Sequence, residues 1–286
     1  MTDQYAVIGN PVAHSKSPLI HAEFARQTRQ DLVYSVLFAG DAFEAAVERF
    51  REEGGRGLNV TLPFKHRAFV LAHERTARAE HALAVNTLSF DRGAIRGDNT
   101  DGPGLVRDLV VNLGFALRGR SVLLMGAGGA SYGVCGALLD EGPAALVVAN
   151  RTVGKAVALC RHFAELRGGS GPLSACSYGE LAGARFDLVV NATSAGLSGD
   201  LPALPEGVFA PGALAYDMVY GRPTPFLELA RASGARTADG LGMLVEQAAE
   251  SFHVWRGVRP ETRNVIAMLR GEAGSVPEFR GSENRD

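Results

Sequence analysis

Residues 121–130 read Ser-Val-Leu-Leu-Met-Gly-Ala-Gly-Gly-Ala, and they decide the fold. Residues 121–125 form a short apolar run typical of a buried strand, and the glycine-rich turn that follows leads directly into a segment with helical spacing. Glycines between a strand and a helix let the backbone approach a pyrophosphate held by the helix N-terminus. We therefore expect a dinucleotide to bind at Gly126, Ala127, Gly128, Gly129 and Ala130; a tight turn without a ligand is the alternative.

Strand-like and helix-like segments alternate along most of the chain. Strands are predicted at 5–9, 32–38, 57–60, 84–90, 94–96, 121–125, 145–149, 186–190 and 214–218, with a hairpin turn at 91–93. Helices are predicted at 18–29, 41–53, 64–73, 130–139, 152–166 and 241–255, and another ends at Leu113. This alternation is typical of an α/β protein with parallel sheets.

The order of these segments predicts two domains with a cleft between them. We place an N-terminal α/β substrate-binding catalytic domain at 1–101 plus 240–270, and a Rossmann-like cofactor domain at about 102–239. The helix beginning at Leu241 would return the chain to the first domain. Residues 271–286 are rich in Gly, Ser and Glu and have little to bury, so we expect a flexible tail.

Composition favours a small-molecule partner. The chain has 286 residues, 46% hydrophobic and 21% charged, and a net charge of -2, so neither nucleic acid nor an anionic membrane is an expected partner. The 3 cysteines lack metal-site spacing, and no metal is expected. No apolar run reaches the roughly 20 residues of a membrane helix, and no signal peptide precedes the first strand, so we expect a cytoplasmic protein. A homodimer is one assembly that the sequence allows.

The segment after the second strand of the cofactor domain indicates which dinucleotide binds. Asn150-Arg151-Thr152 stands where an NAD-preferring fold usually carries an acid. A guanidinium suits a 2'-phosphate, and Lys155 adds a cation within one helical turn. Thr152 could cap the helix and donate to the same phosphate. These residues favour NADP; an ordinary solvated helix start is the alternative.

Polar clusters at predicted strand ends of the first domain are candidates for catalysis. Ser15 and Ser17 precede a helix and could hold a carboxylate or simply cap that helix. Lys65 follows a strand end and has mostly apolar residues as sequence neighbours. A lysine partly removed from water there could exchange protons near neutral pH; a surface lysine is the alternative. Asp101 lies in the loop 97–102, which could be only a turn. Asn86 has no obvious core role.

Together these segments resemble the shikimate dehydrogenase family, over nearly the whole chain to about Leu269. The resemblance rests on 15–18, 59–61, 63–65, 84–87, 97–102, 126–130, 150–152, 191–194, 216–218, 239–243 and Gln247. It implies reversible, NADPH-dependent reduction of 3-dehydroshikimate to shikimate, a step of the shikimate pathway to chorismate and the aromatic amino acids.

The resemblance also implies a role for individual residues. Substrate-binding positions are Ser15 and Ser17 for the carboxylate, and Thr61, Asn86, Asp101, Tyr220 and Gln247 for the ring hydroxyls and carbonyl. Lys65, paired with Asp101, matches the catalytic acid and base. Cofactor positions are Gly126, Ala127, Gly128, Gly129, Ala130, Asn150, Arg151, Thr152, Lys155, Met218 and Gly240. Ala77 departs from the family, many of whose members carry an acid there near the nicotinamide, and Tyr132 occupies another variable position.

Two other functions stay open at this point. One is a quinate or quinate/shikimate dehydrogenase using NAD, against which Arg151 and Lys155 argue because they suit a 2'-phosphate. The other is a non-catalytic NADP-binding sensor on the same fold. Loss of the Lys65 and Asp101 pair would favour the sensor, and the sequence contains both residues.

Overall fold

Two six-stranded sheets form the framework of the molecule. The computed structural model describes residues 2–91, 93–169, 171–193 and 204–271. Its strands are β1 (Asp3–Gly9), β2 (Leu32–Phe38), β3 (Gly55–Val60), β4 (Glu74–Arg75), β5 (Thr87–Asp91), β6 (Ala94–Asp98), β7 (Ser121–Met125), β8 (Ala145–Ala149), β9 (Leu173–Cys176), β10 (Phe186–Asn191), β11 (Phe209–Asp217) and β12 (Arg236–Asp239).

Helices connect most of these strands. They are α1 (Ser17–Thr28), α2 (Phe43–Glu52), α3 (Lys65–Leu71), α4 (Ala77–Ala82), α5 (Asp101–Arg107), α6 (Gly129–Asp140), α7 (Val153–Arg167), α8 (Pro225–Ala232), α9 (Leu241–Arg256) and α10 (Arg263–Arg270). A π-helical turn, Asp108–Asn112, extends α5, and a 3₁₀ turn occupies Gly179–Leu181.

The first sheet is mixed and has the strand order β2-β1-β3-β5-β6-β4. β1 pairs in parallel with β2 and β3, whereas β5 is antiparallel to both β3 and β6. The expectation of parallel sheets is therefore wrong at β5, whereas the antiparallel pair implied by the predicted hairpin is confirmed. The physical reason is the short connection between β5 and β6, because strands joined by a tight turn can pair only antiparallel.

The second sheet is parallel throughout and has the order β12-β11-β10-β7-β8-β9. Its central strand β7 is buried on both faces. Val122 and Leu124 pack into one apolar cluster, and Leu123 and Met125 pack into another on the opposite side. Each fully buried side chain of this kind contributes about 1.5–3 kcal/mol relative to an exposed one. Burial on both faces explains why the strand is a continuous apolar run.

Close helix contacts around α5 hold its first residue in place. A Cβ atom added at Gly104 would lie 2.7 Å from Cβ of Gln247 on α9. One added at Gly102 would lie 2.8 Å from the carbonyl oxygen of Gly133 on α6. Glycine is required at both positions because any side chain would push the helices apart. α5 is thus fixed between α9 and α6.

Several predicted boundaries differ from the structure. The strand predicted at 84–90 begins only at Thr87, and the helix predicted at 64–73 is shortened to Lys65–Leu71. The sequence analysis missed β4, β9, β12, α4, α8 and α10. These elements have two to eight residues, too few to display a hydrophobic period. Residues 272–286 of the predicted tail and Ser194 lie outside the described residues.

Candidate active site

Lys65 and Asp101 form an ion pair at the ends of two helices. Lys65 begins α3 and Asp101 begins α5, and Nζ of the lysine lies 2.6 Å from Oδ2 of the aspartate. The lysine side chain is 28% exposed and the aspartate side chain 10%. Lys65 is therefore not an ordinary surface lysine, and the loop 97–102 is more than a turn.

Asn86 binds the other oxygen of the same carboxylate. Its Nδ2 donates to Oδ1 of Asp101 at 2.8 Å, and its Oδ1 accepts from the backbone N–H of Thr100, also at 2.8 Å. The backbone contact fixes the orientation of the amide, because an N–H can only donate. Gln247 Oε1 lies 3.4 Å from Asn86 Nδ2. The structure thus brings Lys65, Asp101, Asn86 and Gln247 into one cluster.

Ser15, Ser17 and Thr61 lie at one edge of the first sheet, beyond the carboxyl ends of β1 and β3. The backbone N–H of Thr61 donates to Ile8 of β1 at 2.9 Å, which ties the two strand ends together. The backbone N–H of Ser17 donates to Oγ of Ser15 at 3.2 Å. The N-cap position of α1 is Lys16 and no side chain there caps the helix, so Ser15 contacts only the first helical N–H and the hydroxyl of the buried Ser17 forms no cap.

Tyr220 is not joined to the cluster by a hydrogen bond within the described ranges. It follows β11 and is partly buried, and burial raises the pKa of its hydroxyl. The predicted contact between Tyr220 and the substrate therefore stays a prediction.

The glycine-rich turn has a shape that fits a pyrophosphate. Gly126 has a φ of 99°, which favours glycine, and its carbonyl oxygen accepts from Oγ of Ser131 at 2.8 Å. No side chain caps the N-terminus of the twelve-residue α6, so its first N–H groups are free of a side-chain acceptor. A Cβ atom added at Gly128 or Gly129 would meet no heavy atom within 4 Å. This open face carries free donors, as an anion site requires.

Residues after β8 present positive charge beside that turn. Arg151 and Lys155 are exposed, and neither side chain has a hydrogen-bond or ion-pair partner within the described part of the chain. Asn150 Nδ2 donates to the carbonyl oxygen of Thr152 at 2.8 Å. The predicted cap by Thr152 is wrong: this residue occupies the N-cap position, but its side chain accepts no capping hydrogen bond.

Met218 and Gly240 meet where β11 and β12 end. The backbone N–H of Met218 donates to Asn191 of β10 at 3.1 Å, and a Cβ atom at Gly240 would overlap the carbonyl group of Met218. Ala192 and Thr193 also lie close to Gly126. A Cβ atom added at Gly126 would lie 3.2 Å from the Ala192 oxygen and 3.1 Å from Cγ2 of Thr193. The predicted cofactor residues thus surround the carboxyl ends of the central strands, where open α/β sheets bind ligands.

Helix α6 connects the glycine-rich turn to the ion pair. A Cβ atom added at Gly133, one turn beyond Gly129, would lie only 3.4 Å from Oδ2 of Asp101. The two sites are therefore adjacent. Ala77 begins α4, and Tyr132 packs against the ring of His162, 5.5 Å between centroids. Within the described residues no cluster of metal ligands occurs, and no helix there is long and apolar enough to cross a membrane.

Three supporting residues were not identified from the sequence. Asn99 Oδ1 accepts from the backbone N–H of Asp101, and Thr100 and Thr87 hydrogen-bond to Asn86. Asn99 and Thr100 stand inside the quoted loop 97–102, so their position was the available signal. Thr87 stands inside the quoted segment 84–87, directly after Asn86, and its position was likewise the available signal.

Comparison with family models agrees with the family resemblance found in the sequence. Residues 7–88 match the family model of the shikimate dehydrogenase substrate binding domain, 109–197 match the shikimate / quinate 5-dehydrogenase model, and 240–270 match the shikimate 5'-dehydrogenase C-terminal domain.

Individual relatives are similar over nearly their full length. The shikimate dehydrogenase (NADP(+)) of Nitrosospira multiformis is 60% identical over 96% of this chain and 100% of its own. An Ael1 enzyme from Pseudomonas putida superposes with a TM-score of 0.88 at 53% identity, covering 93% of this chain and 98% of that one. The shikimate 5-dehydrogenase of Thermus thermophilus, solved with NADP(H) and shikimate, gives 0.82 at 34% identity, covering 95% and 100%.

Proposed function

Because the chain belongs to the shikimate dehydrogenase family, we propose that Lys65, paired with Asp101, is the acid and base of its reaction. The protein is an NADP-dependent shikimate dehydrogenase, an oxidoreductase of the shikimate pathway to chorismate and aromatic amino-acid biosynthesis. It interconverts 3-dehydroshikimate and shikimate. The observation that carries the proposal is the 2.6 Å ion pair, with α6 of the glycine-rich turn beside it.

Lys65 supplies the proton of the reduction. When bound, the nicotinamide supplies the hydride. As the ring C=O double bond is reduced to C–O–H, Nζ of Lys65 donates a proton to the oxygen, and in the reverse direction it accepts that proton. Asp101 keeps Nζ in one place through its Oδ2, and Asn86 binds the remaining carboxylate oxygen. A carboxylate held at both oxygens keeps the lysine aimed at one point.

The substrate lies, in this proposal, between the ion pair and the first-sheet edge. Ser15 and Ser17 hold the carboxylate, and Thr61, Asn86, Tyr220 and Gln247 bind the ring oxygens. For the groups other than Tyr220, support comes from their contacts: Thr61 is tied to β1, whose carboxyl end leads to Ser15, and Gln247 lies 3.4 Å from Asn86.

The cofactor half of the proposal rests on the open turn and the free cations. Gly126 to Ala130 and the N-terminus of α6 bind the pyrophosphate, and Arg151, Thr152 and Lys155 bind the 2'-phosphate, with Asn150 shaping their loop. Met218 and Gly240, which meet where β11 and β12 end, would also contact the cofactor. The exposure of Arg151 and Lys155 supports this, because neither charge is neutralised within the described residues.

Domain division and assembly belong to the same proposal. A substrate domain of 1–101 plus 240–270 and a cofactor domain of 102–239 would each contain one of the two sheets. The close helix contacts around α5 support a junction between the two domains at that helix. We further propose a cytoplasmic protein that forms a homodimer. Analytical ultracentrifugation at micromolar concentration tests the dimer, and a mass of 30.2 kDa would contradict it.

Steady-state kinetics test the function. Shikimate and quinate are each assayed with NADP and with NAD, and we expect the highest kcat/KM for shikimate with NADP. A higher value for quinate with NAD would overturn both the substrate and the cofactor assignment. Absence of turnover with all four pairs, in a protein that still binds NADPH, would favour the non-catalytic sensor.

A further inference from the structure

Ser251 occupies a junction between α9 and the first sheet. It lies one helical turn after Gln247, is 0% exposed, and its Oγ donates to the carbonyl oxygen of Gln247 at 3.0 Å. The same Oγ lies 2.8 Å from Asn59 Nδ2, 2.8 Å from Thr87 Oγ1 and 3.2 Å from Thr100 Oγ1. One hydroxyl therefore contacts groups from three other segments.

The directions of these hydrogen bonds follow from the chemistry of the partners. A carbonyl oxygen can only accept, so the single hydrogen of Ser251 goes to Gln247. Toward Asn59 Nδ2, which can only donate, the serine oxygen is the acceptor. Asn59 Nδ2 also donates to the backbone carbonyl oxygen of Asn86 at 3.3 Å, and because a carbonyl can only accept, this contact fixes which end of the amide faces Ser251. With that hydrogen directed to Gln247, the serine oxygen can only accept from Thr87 or Thr100, each of which has a single hydroxyl hydrogen.

From Ser251 the contacts lead to the ion pair in two steps. Thr87 Oγ1 and Thr100 Oγ1 lie 2.9 Å and 3.1 Å from Oδ1 of Asn86, and each hydroxyl can donate its one hydrogen either to that oxygen or to Ser251. Asn86 in turn donates to Oδ1 of Asp101. Because Ser251 contacts both threonines, it restrains the two hydroxyls that orient the Asn86 amide.

We propose that Ser251 is a positioning residue for catalysis, which acts by holding Thr87 and Thr100 in the geometry that aims Asn86 at Asp101. The inference rests on the proposed function, since it concerns the reaction assigned to Lys65 and Asp101. Ser251 touches neither residue of the ion pair, and its effect is transmitted through the buried amide. The same contacts place Gln247, because its carbonyl oxygen is the acceptor of the serine hydroxyl.

The test is the Ser251→Ala variant. Alanine is the best helix former and removes a single oxygen, so the helix should persist. We expect kcat/KM for shikimate to fall about tenfold, because buried donors and acceptors lose a partner, with KM for NADP changed less than about twofold. The matched control is Ser233→Ala, which removes an exposed serine hydroxyl donating to the carbonyl four residues earlier at 2.9 Å and should leave kcat/KM unchanged.

A second variant and a double-mutant cycle separate positioning from a general loss of structure. Thr87→Val keeps the side-chain volume and should lower kcat/KM to a similar extent, even if Ser251→Ala does not fold. If Ser251 acts through Asn86, the double variant Ser251→Ala/Asn86→Ala should lose no more activity than Asn86→Ala alone. A loss of folded protein would instead multiply the two effects.

Three outcomes would overturn the inference. The first is a folded Ser251→Ala or Thr87→Val enzyme with kcat/KM within about twofold of the wild type. The second is independent, multiplicative effects in the double variant. The third is a wild-type protein that does not oxidise shikimate with NADP, which would remove the proposed function as well. An active wild type with normal variants would leave the proposed function intact.

Discussion

The hydroxyl of Tyr216 donates a 2.7 Å hydrogen bond to Oδ2 of Asp108 and accepts one from the backbone N–H of Met243. Tyr216 lies near the end of β11, Asp108 begins the π-helical turn, and Met243 lies in the first turn of α9. The tyrosine thus joins the second sheet to the two segments that adjoin the ion pair and Gln247. Burial raises the pKa of Asp108 above its ordinary value of 3.8.

Tyr216→Phe should lower the free energy of unfolding by about 1–3 kcal/mol, because a buried carboxyl and a buried N–H each lose a partner. This decrease in the free energy of unfolding should be larger at pH 7 than at pH 4. Loss of the donor raises the pKa of Asp108 further, and a carboxyl with a raised folded pKa destabilises the native state once pH exceeds its ordinary value. Urea denaturation at both pH values measures this, with Tyr132→Phe as control, since that hydroxyl has no hydrogen bond within the described ranges. Equal costs for both variants would contradict the prediction.

His21 should make the protein sensitive to acid. Burial lowers its pKa from 6.5 to about 3, and neither ring nitrogen forms a hydrogen bond of standard geometry, although Asn59 nearby opposes part of the shift. Between pH 6.5 and 3 the unfolded chain binds a proton that the native state does not, so stability falls as pH falls. We expect this one group to lower the free energy of unfolding by about 2 kcal/mol between pH 7 and 5.

The comparison of wild type with His21→Phe isolates that contribution, since other titrating groups are common to both. The variant should show a shallower loss of stability from pH 7 to 5, measured by urea denaturation. His253→Phe, at an exposed histidine of α9, serves as control and should follow the wild type. Parallel pH profiles for wild type and His21→Phe would refute the buried, neutral histidine.

Substitution by alanine should lower stability at one glycine of the cofactor turn and weaken cofactor binding at another. Gly126→Ala should destabilise the fold by about 1 kcal/mol or more, because φ is 99° and Cβ would lie 3.2 Å from the Ala192 oxygen. Gly128→Ala should fold normally, since its backbone is extended and its Cβ would meet nothing within 4 Å. It should instead raise KM for NADP, because the methyl group occupies the pyrophosphate face. Thermal unfolding and NADP kinetics measure the pair, and a normal KM for Gly128→Ala would place the cofactor elsewhere.

Arg151→Ala should raise KM for NADP far more than KM for NAD, because only NADP carries the 2'-phosphate that the guanidinium binds. Increasing ionic strength should narrow the difference between wild type and variant, since an exposed charge is screened by salt. Arg161→Ala, at an exposed arginine within α7, is the matched control and should change neither value. Equal effects of Arg151→Ala on both cofactors would exclude this role.

Lys65→Ala should lower kcat by about 10²–10⁴-fold, the usual contribution of a positioned acid or base. Shikimate binding should be largely retained, because Asn86, Gln247 and the serines still hold the substrate. Isothermal titration of the variant with shikimate measures binding separately from turnover. Turnover close to the wild-type rate would remove Lys65 from the proposed mechanism.

Local patterns were sufficient for part of this molecule. The turn at Gly126 was predicted because its requirements, a buried strand, a positive φ and a free helix N-terminus, are all encoded within ten neighbouring residues. The capping role of Thr152 was wrong because helix propensity at an N-cap does not fix the side-chain rotamer. α4 was missed because six residues, capped by Thr76 through the N–H of Ala79, are too few to show a period.

The sequence by itself determined the α/β class, the cofactor turn and the identity of the polar residues at strand ends. Only the tertiary structure decided how they meet: Lys65, Asn86 and Asp101 begin or border different elements, and Ser251 is 192 residues from Asn59. A hydrogen bond requires a donor–acceptor distance correct to within a few tenths of an ångström and a suitable angle at the hydrogen. A pattern of residue types specifies neither the distance nor the angle. The ion pair and the buried contacts behind it exist because helix and sheet packing brings these segments together.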